Sequence, residues 1–347
     1  MVCPREGTSA DRAPSPVLAL DIGGTKLAVA MVTPDGQPHE LSVTPTRVQE
    51  GPDAVIARLL GMGHTAIASA GLGPPLAVGI SCGGPLDARN GVLLSPLHLP
   101  GWRRVPLGDL VSADFGVPFA LQNDASAAAL GEYRFGLGRG VETMIYLTIS
   151  TGIGGGLVLG GRLHVGAAGN GGELGHLVVR PGGRQCSCGR QGCIEAYASG
   201  TNIADRARER LRSGEVSALA DLESCTAADV SRLARRGDPL AVSVWQETVD
   251  LLGQAVTDLV NILEPDLVVL GGGVTRAGDM LLDPVRRVVA DSAMGPAAAA
   301  VRIELAALGD VVGVVGAAAI AFDRLDEPTT TTQTTTREPG QLEELRA

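Results

Sequence analysis

His176, Cys186, Cys188 and Cys193 offer one imidazole and three thiolates within a short stretch, a full tetrahedral set for a structural Zn²⁺. The C-x-C-x₄-C spacing, with glycines between, lets a short chain wrap one ion. The competing reading is three buried or disulfide-forming cysteines beside an unrelated histidine. A site closed by four protein ligands leaves no position for an activated water. Such an ion would shape a pocket rather than generate a nucleophile.

Asp21 ends an apolar run and is followed by Gly23, Gly24, Thr25 and Lys26, so a carboxylate and several unobstructed N–H groups project into one small volume. The carboxylate suits Mg²⁺, held through water and bridged to phosphate oxygens, and Thr25 can add a hydroxyl donor. A plain hairpin turn is the alternative. Ser150, Thr151 and Gly152, with Gly154 to Gly156, make a second donor-rich turn, and Gly271, Gly272 and Gly273 make a third that can admit a flat adenosine. None is a Walker loop, because G-x-x-x-x-G-K-[ST] does not occur.

Asn123 and Asp124 stand where a strand near Val117 to Gln122 gives way to a helix, at the carboxyl edge where ligands bind in α/β sheets. Phosphoryl transfer needs an acceptor hydroxyl aligned with the γ-phosphorus and a carboxylate to take its proton, a task usually given to Asp. An ordinary Asp is ionised at neutral pH and can do this. Asp before A-S-A-A-A-L also has the form of a helix N-cap.

The elements that must position these groups read as α/β. Val17 to Val32 and Met144 to Leu159 each run strand, glycine turn, strand, and Leu267 to Val274 is a third strand ending in glycines, which suggests two related lobes. Helices are expected at Ala125 to Arg134, Thr201 to Arg212 and Pro239 to Leu263. Strands alternating with helices, together with hairpins, imply mixed sheets. Residues 1–16 and the Thr-rich stretch 326–347 read as unstructured.

With 347 residues, 45% hydrophobic and 19% charged, the chain can bury two packed lobes. Its net charge of −10 argues against a nucleic-acid or anionic-lipid surface. No apolar run reaches the roughly 20 residues of a membrane span, and the start lacks a signal peptide, so the expectation is a cytoplasmic protein without membrane contact. The clustered cysteines fit a metal in a reducing compartment better than disulfides.

On D-I-G-G-T-K (Asp21 to Lys26), I-S-T-G-I-G-G-G (Ile149 to Gly156) and the C-x-C-G-x-x-G-C-x-E segment, the chain resembles the ROK family of sugar kinases and sugar-responsive repressors. The resemblance implies an actin-like ATPase (ribonuclease H-like) fold with ATP and sugar in an interlobe cleft. It divides the body into a small lobe over 17–124 and a large lobe over 125–310 with the zinc segment 173–195. A terminal helix over 311–325 would pack back on the small lobe.

It further implies ATP contacts at Asp21, Gly23, Gly24, Thr25, Lys26, Thr151, Gly152, Gly271, Gly272 and Gly273, and makes Asp124 the base. Sugar contacts would come from Asn123, Asp124, Glu173, Glu195 and Gly84 of the loop C-G-G-P-L-D. His176 would bind zinc through one ring nitrogen and a sugar hydroxyl through the other. Glu173 has a solvated-loop alternative, and Glu195 could simply begin a helix. Trp102 reads as core rather than a stacking platform, and His98 stands where relatives often carry Asn.

The expected activity is ATP-dependent phosphorylation of a hexose, glucose first because G-G-P-L-D followed by L-P-G-W most resembles glucokinases. N-acylmannosamine, fructose, mannose or allose are the alternative acceptors. A repressor would carry a DNA-binding helix-turn-helix ahead of Asp21, where this sequence has twenty residues. A homodimer is expected by resemblance.

Overall fold

The computed structural model describes residues 15–326. Most of the two ends expected to be unstructured, 1–16 and 326–347, lies outside the described residues. At the margins, the Pro16 carbonyl accepts from Leu76 N, and Asp326 closes the last helix in an ion pair with Arg134 at 2.7 Å.

The first sheet contains β1 (Val17–Ile22), β2 (Lys26–Val32) and β3 (Pro38–Pro45), with helix α1 (Pro52–Ala70) leading to β4 (Val78–Cys82). A small hairpin, β5 (Leu86–Asp87) and β6 (Val92–Leu93), and helix α2 (Leu107–Phe115) precede β7 (Phe119–Asn123). Strand order is β3-β2-β1-β4-β7, with β1 antiparallel to β2 and parallel to β4, which is parallel to β7.

Helix α3 (Asp124–Phe135) leads to the second sheet, built from β8 (Met144–Ile149), β9 (Ile153–Leu159), β10 (Arg162–Leu163), β11 (Leu267–Gly271) and β12 (Arg302–Leu305). Its order, β10-β9-β8-β11-β12, repeats the antiparallel and parallel pairings of the first sheet. Helices α4 (Glu195–Ala198), α5 (Gly200–Arg212), α6 (Ala227–Arg235), α7 (Pro239–Leu263), α8 (Asp279–Ser292) and α9 (Gly295–Ala300) fill this half, and α10 (Val312–Asp326) ends it. Two sheets of matching order flanked by helices are the actin-like ATPase fold expected from the sequence.

Period-two alternation decides what each strand face meets. In β1, Leu18, Leu20 and Ile22 join the core shared with α1 and α2, whereas Val17 and Ala19 face α10. Asp21 follows on the α10 side, where a Cβ on Gly313 would lie 2.2 Å from its Oδ2. In β8, Ile145, Leu147 and Ile149 meet α5 to α8, and Met144 and Tyr146 meet α3. Helices α3 and α10 therefore lie between the sheets, crossing on Ala127, Leu130, Ala319 and Ile320.

The long apolar-spaced segment forms α7 with the expected bounds, and its buried stripe runs from Leu240 to Val260. Trp102 is 1% exposed, so it is core. Among the described residues, no helix is long and apolar enough to cross a membrane.

Candidate active site

Three parallel strands deliver their carboxyl ends side by side. Asp21 pairs in register with Ser81, and Ser81 with Gln122, so Asp21, Ser81 and Asn123 stand along one edge of the first sheet. The fully buried Ser81 donates its hydroxyl to Asp21 Oδ1 at 2.9 Å. Burial raises the Asp21 carboxyl to about 6; the Ser81 bond opposes this, Asp124 adds to it, and Lys26 opposes it.

The turn after Asp21 closes with Gly23 N donating to Lys26 O at 3.0 Å. Buried Thr46 braces it twice, donating Oγ1 to Gly23 O at 2.6 Å and N to Thr25 O at 3.0 Å. Thr25 and Lys26 are exposed. Gly24 is backed by the protein itself, since a Cβ there would stand 2.7 Å from both the Cβ and the carbonyl oxygen of His98.

Asn123 and Asp124 divide the helix start between them. Asn123 is the N-cap of α3, its Oδ1 accepting from Ala125 N at 2.9 Å, and Asp124 is the first helical residue. The capping role weighed for Asp124 thus belongs mainly to its neighbour, although Asp124 Oδ1 also accepts from Ala125 N at 2.8 Å. Asp124 is exposed at the sheet edge, with protein atoms crowded around its carboxylate. Desolvation there raises its pKa, against the pull of the Ala125 N–H and of His98. Gly84 borders the pair, its Cβ direction pointing at Asn123 Nδ2, 3.5 Å away.

On the second sheet, the turn between β8 and β9 is tightened by Ser150 N donating to Gly152 O at 2.9 Å. Glu195 begins α4 and reaches back to this turn, with Oε2 accepting from Ile153 N at 2.9 Å and Oε1 from Ser187 Oγ at 3.1 Å. Glu195 is therefore more than a helix start. It ties the cysteine segment to the second glycine turn, and its oxygens already have partners inside the protein.

The third glycine turn differs in detail from the expectation of backbone open to adenosine. A Cβ on Gly271 would meet Tyr146 Oη at 2.4 Å, and one on Gly272, at φ +89°, would meet Ile149 O at 2.5 Å. Those two glycines serve packing on β8. Only Gly273 is open, and it lines a 560 Å³ cavity with Ser150, Thr151, Thr201, Arg208 and Cys225. The wall from α5 and α6 was not legible, because its polar residues have the pattern of solvated helix faces. A larger cavity, 1320 Å³, opens near the edge strands β7 and β10 and is lined by none of the residues expected to carry chemistry. Here the side chains, rather than the volume, locate the site.

His176 and the three cysteines converge: their donor atoms all lie within 4.8 Å of one another. His176 Nδ1 is 3.6 Å from Cys186 Sγ, and Cys188 Sγ is 3.8 Å from Cys193 Sγ. Ligands about 2.3 Å from a tetrahedral centre sit about 3.8 Å apart, so the set fits Zn²⁺ without rearrangement. The three cysteines are free thiols. Turning Nδ1 to the thiols leaves Nε2 facing Glu173, whose exposed carboxylate is 3.8 Å away.

The segment is held from behind by Arg184, which donates to Ala196 O and to both oxygens of Glu209, and by buried Arg206, which donates to Tyr197 O at 2.8 Å. Thr46, Ser81 and these arginines escaped the sequence reading. Isolated polar residues in apolar or amphipathic runs give no signal of the partner they will meet.

The family described as ROK matches residues 17–324. The glucokinase of Thermotoga maritima is 37% identical over 314 residues, 89% of this chain and 98% of that protein. The N-acetylmannosamine kinase of Citrobacter koseri is 35% identical over 314 residues, with 88% and 98% covered. A ROK family glucokinase from Streptomyces griseus, solved in complex with glucose and AMPPNP, superposes with a TM-score of 0.72 at 33% identity, covering 89% of this chain and 100% of that one. The matched span contains the glycine turns, the strand-end aspartates and the cysteine cluster: this chain belongs to the ROK family.

Proposed function

We propose that this protein is an ATP-dependent hexose kinase acting on glucose, with Asp124 as the general base. The observation that carries the reading is the meeting of two carboxylates, Asp21 and Asp124, at the carboxyl edge of one parallel sheet, with a donor-rich turn beside Asp21. That edge can hold phosphate on one side and an acceptor hydroxyl on the other.

In this reading Asp124 takes the proton of the sugar hydroxyl as its oxygen meets the γ-phosphorus. The N–H groups of Gly24 and Thr25 and the Lys26 ammonium donate to phosphate oxygens beside Gly23, whose own N–H closes the turn, and Thr151 and Gly152 do so from the other lobe. Asp21 would hold Mg²⁺, which would offset the phosphate charge, and adenosine enters the cavity at Gly273. Asn123, Glu173, His176 and Glu195 bind sugar hydroxyls beside Gly84. His176, Cys186, Cys188 and Cys193 would hold a structural Zn²⁺ that fixes that wall, and thiol ligands of this kind suit the reducing cytoplasm. The active form is a homodimer.

The direct test is ATP-dependent phosphorylation across glucose, mannose, N-acetylmannosamine, N-acetylglucosamine, fructose and allose, with zinc measured on the same preparation. Glucose should have the highest kcat/KM. N-acetylmannosamine in first place would select the second reading, which the 35% identity to the Citrobacter koseri enzyme favours. No turnover of any hexose would end both.

Asp21 should show a conflict between stability and function. Its folded pKa is raised from 3.8 to about 6, so its stabilising contribution is complete below 3.8 and is lost as pH rises through about 6. At pH 7 the ionised group costs the ligand-free fold about 3 kcal/mol. Asp21→Asn keeps an acceptor for Ser81. Calorimetry should therefore find a higher melting temperature without ligand, together with MgATP binding weakened about tenfold or more.

Gly24→Ala should lower kcat/KM by about tenfold to 100-fold. The added methyl meets a Cβ and a carbonyl rather than a movable chain end, so the phosphate turn or the His98 loop must shift. Unchanged kinetics would show that Gly24 and His98 do not meet in solution.

A further inference from the structure

His98 is exposed, yet the loop that carries it is fixed. On either side, Leu97 N donates to Gly84 O at 3.2 Å, Leu99 N to Pro96 O at 3.1 Å and Trp102 N to Leu99 O at 3.2 Å. Leu99 and Trp102 are 2% and 1% exposed. A polar side chain held in the open by a loop anchored on two buried residues is preorganised toward whatever enters the cleft.

Two glycines locate the side chain. Its Cβ presses on Gly24 of the phosphate turn. Its ring carbon Cδ2 and Asp124 Oδ2 lie 3.8 and 3.7 Å from the same point above Gly83. The imidazole thus sits between the turn that takes phosphate oxygens and the carboxylate that takes the acceptor proton. The other charged groups at this corner are Asp21, Asp124 and Lys26.

In the kinase reading, on which this inference rests, only one group passes through the space between that turn and that base: the phosphoryl moving from ATP to sugar. Its non-bridging oxygens carry the charge, and a fixed N–H donor beside them stabilises transfer. A neutral imidazole has one such donor and an imidazolium two. We infer that His98 is a further catalytic residue, donating an N–H to a non-bridging oxygen of the phosphoryl group in transit. It supplies a hydrogen bond and exchanges no proton; the acceptor proton still goes to Asp124.

The test compares His98→Ala, His98→Asn and His98→Gln in steady-state kinetics, with Leu97→Ala as control because Leu97 is 80% exposed beside the same loop. The expected result is a fall in kcat of about tenfold to 100-fold for His98→Ala, with KM for glucose within about twofold. Asn places an N–H near the ring's Nδ1 position and Gln near Nε2, so one of them should recover most of the loss. Leu97→Ala should match the parent. If His98→Ala does not fold, the Asn and Gln variants decide, and both falling equally overturns the donor role. An unchanged kcat for His98→Ala, or a raised KM for glucose alone, also overturns it. A parent enzyme that phosphorylates no hexose would instead defeat the kinase reading.

Discussion

Asp124→Asn is expected to lower kcat by about 10²-fold to 10⁴-fold while ATP and glucose still bind. Asparagine matches aspartate in size, and its Oδ1 can still accept from Ala125 N, as Asp124 Oδ1 does at 2.8 Å. Helix α3 keeps its cap, because Asn123 provides it. What disappears is the ability to take a proton as the acceptor oxygen reaches the phosphorus. The loss therefore belongs in kcat and not in either KM. It should be read from a coupled assay beside a calorimetric titration with ATP. Were Asp124 only a helix-start residue, the substitution would be silent, and near-parental turnover would remove the base from the mechanism.

Cys193→Ala should take zinc from about one per chain to near none and lower kcat/KM by about 10²-fold or more. Cys193 is fully buried, and between residues 180 and 192 the loop that carries the other two thiols gives only Cys186 to the core, so little there can replace the ion. The loss should reach both substrates. On one side His176 would lose the thiols that orient its ring. On the other, Glu195 ties the segment to Ile153 in the second glycine turn, so that turn loosens as well. Global melting should shift less than activity, since Arg184 with Glu209 and Arg206 with Tyr197 O hold the adjoining helices without the metal. Elemental analysis and kinetics on one preparation check this. A zinc-free variant with full activity would show that the cluster is not part of the site.

Much of this arrangement was legible because its chemistry is local. Asp21 to Lys26 must turn where the glycines fall, and three cysteines with a histidine can hardly avoid each other at that spacing. The helix at Pro239 to Leu263 announced its start, with proline in its first turn and an apolar stripe after it. What stayed hidden depends on contacts between distant positions. Nothing in S-V-T-P-T marks Thr46 as the brace of Gly23, twenty-three residues away. Ser81 reads as one small residue in an apolar strand until register sets it beside Asp21. Glu132, a buried carboxylate on α3, accepts from Leu308 N just before α10, a link only the crossing of those helices creates. The glycines at 271 and 272 misled in the opposite sense: consecutive glycines suggest room for a ligand, and here they make room for Tyr146 and the backbone of β8.

The central claim is that the Asp124 carboxylate faces a nucleotide-held phosphorus across the sugar. A crystal structure with glucose and a non-hydrolysable ATP analogue tests it most directly. The account requires an Asp124 oxygen about 3 Å from the hydroxyl that points at the γ-phosphorus, with the phosphate on the Gly23–Thr25 turn. A ternary complex in which Asp124 turns away from every sugar hydroxyl, or in which the phosphates lie outside that turn, would contradict it.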